Sequence, residues 1–223
     1  MVRGTTTVLI LVALALAVAI VGCGKREQVQ TPEAPPEPPP ATTMTEPTQP
    51  GEGETEMAAA DTVVKIETSR GDIVAKLFDE EAPITAGNFL LLIDRGFYDG
   101  LTIHRVDRGF VIQGGDPNGD GFGGPGFSIP LEVSEGLKHD RGVLSMARAD
   151  PPDSAGSQFF ICLGNAQRVG LLDMHYAVFG KVTEGMDVVD KIQIGDVIKK
   201  ITIESESPHA NDARKAAEQA RIR

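Results

Sequence analysis

Arg105 follows His104 and shortly precedes Phe110-Val111-Ile112-Gln113, and a second block, Gly156-Ser157-Gln158-Phe159-Phe160-Ile161, again sets an amide side chain beside aromatics. A guanidinium is a planar, permanently charged donor with a fixed fork of N–H groups. Here it lies near aromatics and amides, without any obvious nucleophile. Taken singly these residues are ordinary, since an arginine in a strand is usually a solvated charge and a phenylalanine is usually core. Only the combination makes a candidate site.

Other chemistries fail on spacing or context. Gly119-Asp120-Gly121-Phe122-Gly123-Gly124 satisfies the glycine pattern of a dinucleotide site, but Pro125-Gly126 follows where that pattern must open a helix. Asp116, Asn118, Asp120 and Gly121 match the start of a calcium loop, yet its twelfth position is Phe127, where a bidentate glutamate is required. Gly156-Ser157-Gln158-Phe159 lacks the second glycine of a hydrolase elbow. His104, His139, His175 and His209 show no metal-ligand spacing, so neither metal nor cofactor is expected. The net charge of -11 argues against nucleic acid as a partner, because binding phosphate needs clustered Lys and Arg. The two cysteines, Cys23 and Cys162, form no disulfide framework; Cys162 lies in an apolar run and reads as a small buried hydrophobe.

The elements that must position the site follow from periodicity. All nine Phe and both Tyr fall between Phe78 and Phe179, which with flanking strands marks one domain of ~150 residues, large enough to bury its own core. Val64-Lys65-Ile66-Glu67 and Ile73 to Phe78 alternate around Ser69-Arg70-Gly71-Asp72 and read as a hairpin. Pro83 suits the first turn of a helix that Gly96 closes. Strand-length runs follow at 101–106, 110–113, 142–147, 158–163 and 176–182, then a second helix from Met186 to about Ile194 and a last strand from Val197 to Glu204. This succession predicts a mainly β fold, an antiparallel barrel. After Pro208, residues 208–223 form a tail with a possible cap at Asn211 or Asp212, either a short helix or disordered.

The amino end carries Arg3 and then an unbroken apolar run of 14 residues, Val8 to Val21, ending in Gly22-Cys23-Gly24. That is short of the about 20 residues a spanning helix needs and matches the apolar region of an export signal. Residues 1–22 are therefore expected to be a signal peptide. Ile20-Val21-Gly22-Cys23 resembles a bacterial lipoprotein box, in which the Cys23 thiol takes a diacylglycerol and becomes the first residue. The spacer, residues 23–60, has no aromatic residue from Gly24 onward, holds eight of the 15 prolines, and has seven Glu against two Lys plus Arg. Such a composition cannot bury enough apolar surface to order itself and favours extended geometry.

Five segments in order resemble the cyclophilins, the peptidyl-prolyl cis-trans isomerases: His104-Arg105; Phe110 with Gln113-Gly114-Gly115-Asp116; Leu144-Ser145-Met146-Ala147; Gly156 to Ile161; and Val178-Phe179-Gly180-Lys181-Val182. The resemblance spans Asp61 to Ser205 and bounds the domain at 61–207. It implies a closed eight-stranded antiparallel barrel capped by two α-helices. It also implies a catalytic Arg105, helped by Gln113, and a substrate groove made by Phe110, Val111, Phe160 and Leu172, with Gln158 beside it and the main chain of Ala147 and Arg148 pairing with the residue before proline.

Two positions depart from the family pattern. Val111 stands where many relatives have Met, and Leu171 stands where cyclosporin-sensitive members have Trp, which implies weak cyclosporin binding. An ungapped match puts Tyr176 at the place of a pocket histidine, whereas a shift of one residue would put His175 there. The function expected is isomerisation of proline-containing polypeptides by a monomer, lipid-anchored to a membrane of the bacterial cell envelope with its domain outside the cytoplasm. The competing expectation is a module or chaperone that holds Pro-containing segments with little turnover.

Overall fold

The computed structural model describes residues 61–222. The expected signal peptide, Cys23 and the spacer lie outside the described residues. Among those described, no helix is long and apolar enough to cross a membrane.

The first hairpin joins β1 (Val63–Thr68) to β2 (Gly71–Leu77), pairing Ile66 with Ile73 and Val64 with Ala75. Its turn needs Gly71, whose φ of 133° is closed to most side chains, and the Thr68 hydroxyl donates to the Gly71 carbonyl at 2.7 Å. Helix α1 (Pro83–Asp94) follows with Pro83 at its start. Its free N–H groups at Ile84 and Thr85 donate to the Glu132 carboxylate at 3.0 and 2.7 Å, so a distant acid does the work of a cap. The remaining strands are β3 (Arg105–Asp107), β4 (Val111–Gly114), β5 (Val143–Met146), β6 (Phe159–Cys162), β7 (Ala177–Glu184) and β8 (Ile198–Ser205). Single turns of helix, α2 (Ala166–Val169) and α3 (Met186–Val189), interrupt them.

The eight strands form one antiparallel sheet in the order β3-β4-β6-β5-β7-β2-β1-β8. Their number is the expected one, but the barrel is not closed. β3 and β8 are the two edges of the ladder, and the sheet curls into a half-barrel. The gap between its edges is stitched by the chain that precedes each strand: Thr102 bridges Val197, the Ile103 N–H donates to the Asp196 carbonyl at 2.8 Å, and that of Ile198 donates to Leu101 at 2.8 Å. The physical reason is local. Residues 101–104 have strand-like composition but turn away to meet 195–198, leaving only Arg105–Asp107 to pair with β4.

The expected pair of capping helices is also redistributed. The helix read from Met186 ends at Val189, and the second long helix is α4 (Ala210–Ala220) in the tail. Helix α1 covers the barrel interior, where Phe89 meets Tyr98, Phe159 and Phe179 at ring centroid distances of 5.0, 5.3 and 5.1 Å. Helix α4 lies on α1 rather than on the sheet. Ala213 and Ala217 are buried there, and a Cβ on Gly87 would fall on the Ala213 carbonyl, so the two backbones touch only because Gly87 has no side chain.

Candidate active site

Antiparallel pairing of β3 with β4 sets Arg105 directly opposite Gln113, and pairing of β4 with β6 sets Gln113 opposite Phe160. Arg105 Nη1 donates to Gln113 Oε1 at 3.3 Å. Gln113 Nε2 in turn donates to Gln158 Oε1 at 2.9 Å, and Gln158 Nε2 donates to the carbonyls of Gly121 and Gly123 at 3.0 and 2.9 Å. The loop that offers those carbonyls is held by Asp116, a buried carboxylate that accepts from the N–H groups of Asn118, at 2.8 Å, and Gly121. Burial alone would push the Asp116 carboxyl up, but these N–H donors and the neighbouring His104 outweigh it and leave it below its usual range. The carboxylate is thus committed to its own turn. The guanidinium is the end of a polarised chain of four links.

A cavity of about 320 Å³ opens beside Arg105 and Gln113. Its apolar lining comes from Phe110, Val111 and Phe160, and Leu172 and Tyr176 complete it. Arg105 is half exposed, with its Cζ 5.9 Å from the centre of the Phe110 ring and its Nη2 3.7 Å from Asp107. Charge at the mouth of an apolar pocket is worth more than the same charge in water. Ala147 and Arg148 also line the cavity. The Ala147 N–H is already taken by the Gln158 carbonyl at 2.8 Å, so of its main-chain groups the carbonyl is the one left to face a substrate. The Arg148 side chain is spent as well: Nε donates to the His175 carbonyl at 2.7 Å, Nη1 donates to the carbonyls of Ala149 and Asp150, and Cζ lies 5.2 Å from the centre of the Tyr176 ring.

Of the two residues left open by alignment, Tyr176 lines the cavity, its ring edge-on to Phe160 at 5.6 Å. His175 contributes only its carbonyl, to Arg148. Two further candidate residues, Leu171 and Gln158, do not line this cavity, and Gln158 lies beside it. Leu171 is 82% exposed and turned to solvent by the one-turn 3₁₀ helix Gly170–Leu172, which sends its neighbour Leu172 inward instead. Gln158 lies in a second cavity of about 690 Å³ that shares Gln113, Ala147 and Arg148 with the first and runs under the glycine-rich loop from Gly121 to Phe127. That second cavity escapes sequence reasoning, because Gly119 to Gly126 reads simply as turn. Its signal is the density of glycines, which lets backbone rather than side chains form the wall.

Also missed is a set of three in which His139 and Ser145 are buried and Asp173 is half-buried. His139 Nδ1 lies 2.9 Å from Asp173 Oδ1, and His139 Nε2 lies 2.9 Å from Ser145 Oγ. The connectivity is that of a serine hydrolase, but Ser145 is fully buried and also bonds the Ala177 carbonyl at 3.0 Å, so no substrate can reach it. Ser157 is likewise buried, donating to the Gly115 carbonyl at 2.7 Å. Burial pushes the Cys162 thiol up to about 12, which leaves it inert at neutral pH. Ser154 lines the second cavity, but its hydroxyl is bonded only to the backbone of Ala149 and Pro151, so no nucleophile backed by a base faces either cavity.

A family model described as cyclophilin type peptidyl-prolyl cis-trans isomerase/CLD matches residues 63–212. The chain belongs to that family. A peptidyl-prolyl cis-trans isomerase of Helicobacter pylori (strain ATCC 700392 / 26695) is 44% identical over 165 residues, which are 73% of this chain and 99% of that protein. Peptidyl-prolyl cis-trans isomerase B of Bacillus subtilis (strain 168) is 48% identical over 131 residues, 58% of this chain and 88% of that protein. Among solved structures, a Cryptosporidium parvum cyclophilin superposes with a TM-score of 0.61 at 34% identity, covering 66% of this chain and 99% of the other. This cyclophilin is therefore an isomerase whose substrates contain proline.

Proposed function

We propose that this cyclophilin works outside the cytoplasm, tethered through a lipid on Cys23, and accelerates X-Pro rotation in exported and envelope polypeptides with Arg105 as its catalytic charge. The X-Pro barrier of ~18–20 kcal/mol comes from amide resonance. Accelerating rotation by roughly 10⁵ means lowering it by about 7 kcal/mol. No bond breaks, so the site must favour a twisted amide whose nitrogen lone pair is localised. Arg105 is poised to donate to that nitrogen and to the proline carbonyl, with Gln113 holding the guanidinium and anchoring substrate backbone.

A charge-assisted hydrogen bond contributes about 1.5–3 kcal/mol. The remainder falls to the apolar pocket of Phe110, Val111, Phe160, Leu172 and Tyr176, which grips the proline ring while the preceding residue turns, and to dipoles already oriented. The observation that carries this reading is a guanidinium fixed by Gln113 over an apolar floor in a cavity without a nucleophile. A Cryptosporidium parvum relative, 36% identical, was crystallised in the presence of the dipeptide Ala-Pro, a ligand of the size this cavity would take. Support for the tether is the lipoprotein-like Ile20-Val21-Gly22-Cys23 and the proline-rich spacer that follows.

The test is isomerisation of an Ala-Pro-containing tetrapeptide followed by NMR exchange. Arg105→Ala is expected to lower kcat/KM by about 10- to 150-fold, the value of one charge-assisted bond. Equal activity in the variant would remove Arg105 from the mechanism. Tight stoichiometric binding of the peptide without acceleration would favour the holding module.

A further inference from the structure

We propose that His139 is a positioning residue of the isomerase site, the single buried side chain that fixes both the aromatic floor Phe160 and the wall segment Leu172–Tyr176; the proposal rests on the cavity described above being where proline binds. His139 is 1% exposed, packs against Phe160 and is not among the residues that line the cavity. Its ring is nearly parallel to that of Phe160, 15° apart with centroids at 6.0 Å, so it limits how far the phenylalanine can tilt away from a substrate. The same imidazole bonds Asp173 Oδ1 through Nδ1 at 2.9 Å, and the His139 backbone N–H donates to that oxygen at 2.8 Å. Asp173 immediately follows Leu172 and precedes Tyr176 by three residues. One carboxylate oxygen therefore pins the short stretch that supplies two walls of the cavity.

The third contact, from Nε2 to Ser145 Oγ at 2.9 Å, ties the imidazole to β5, beside Met146 and Ala147 at the cavity's other edge. Ser145 is the ladder partner of Phe160, so one ring ties this rung of β5 and β6 to the Asp173 segment, which belongs to neither strand. The stretch they support has reason to need a pin. Met174 carries the one positive φ of a non-glycine residue among those described, 60°, and the 3₁₀ turn Gly170–Leu172 has no buried residue of its own. A segment so poorly rooted in the core keeps its shape through the Asp173 anchor inside and the Arg148 contacts outside.

His139 does not face the cavity, so its effect reaches substrate only through Phe160, Leu172 and Tyr176. These grip the proline ring, whereas the Arg105–Gln113–Gln158 chain acts on the rotating amide. Loss of His139 should therefore weaken binding and spare turnover. The experiment measures kcat and KM for the tetrapeptide with the full chain and with His139→Gln and Asp173→Asn, together with NMR of ring-labelled Phe160.

His139→Gln is expected to raise KM by about tenfold, the scale expected when a site is displaced by a fraction of an ångström. Its kcat is expected to stay within twofold, and the Phe160 ring signals to broaden or shift. Asp173→Asn, which keeps an acceptor for Nδ1–H and the backbone, is expected to retain most of the wild-type KM. Ile66→Val, a core change far from the cavity, serves as the control for stability alone. The proposal is overturned if KM and the Phe160 signals are unchanged in His139→Gln, if kcat falls instead of KM, or if Ile66→Val at matched loss of melting temperature raises KM equally. Should Arg105→Ala leave activity intact while His139→Gln raises KM, the catalytic reading fails and the positioning role survives.

Discussion

At the scale of single residues, charge is either committed or spare, and the distinction explains the site. Arg148 and Asp116 are tied to backbone, so neither is offered to a substrate, while Arg105 is half exposed, with one hydrogen bond to the Gln113 amide and a longer contact to the exposed Asp107. The pair formed by buried His139 and half-buried Asp173 makes the fold sensitive to acid. Burial holds the His139 imidazole below its ordinary value of 6.5, partly offset by Asp173. The unfolded chain takes up that proton first, so this contribution to stability is present above about pH 6.5 and is lost as pH falls below it. The Asp173 carboxyl, which burial pushes up, is nevertheless brought below its ordinary 3.8 by the His139 donors, so its contribution disappears only as pH falls through that lower range. Urea midpoints are expected to drop between pH 7.5 and 5, and the drop to flatten in His139→Gln; a midpoint independent of pH over that span would contradict the account.

At the scale of elements, legibility depended on whether a residue's environment is set by its neighbours in sequence. Arg105, Gln113 and Phe160 are readable because two short ladders place them with the pattern intact, and Phe110 because it immediately precedes β4. Leu171 is not, since a single 3₁₀ turn decides which of two adjacent leucines faces inward. Strand 101–106 was over-read because its alternation serves the stitching to 195–198 rather than the ladder. Helix α4 was half legible: its composition permits a helix, but nothing in a run of alanines names Gly87 as the surface it docks on. Gly87→Ala is expected to cost about 1–3 kcal/mol by overpacking. Differential scanning should record a lower melting temperature with kcat/KM unchanged, because Gly87 lines neither cavity.

At the scale of the whole molecule, the reading of place rests on sequence outside the described residues. If Cys23 carries the lipid, Cys23→Ser should abolish incorporation of labelled palmitate and shift the protein from the membrane to the soluble fraction, since burial of acyl chains supplies ~0.8 kcal/mol per methylene. Unchanged partition would point to another form of attachment. The sheet itself carries a different consequence. Arg105 rides on the edge strand β3, which has a ladder partner on one side only, next to the stitched gap between the sheet's two rims. On warming, such a rim loosens before an interior sealed by Phe89 and its aromatic neighbours. Catalysis should then have a melting point of its own, a few degrees under that of the fold, with turnover fading in a population still folded by circular dichroism and returning on cooling.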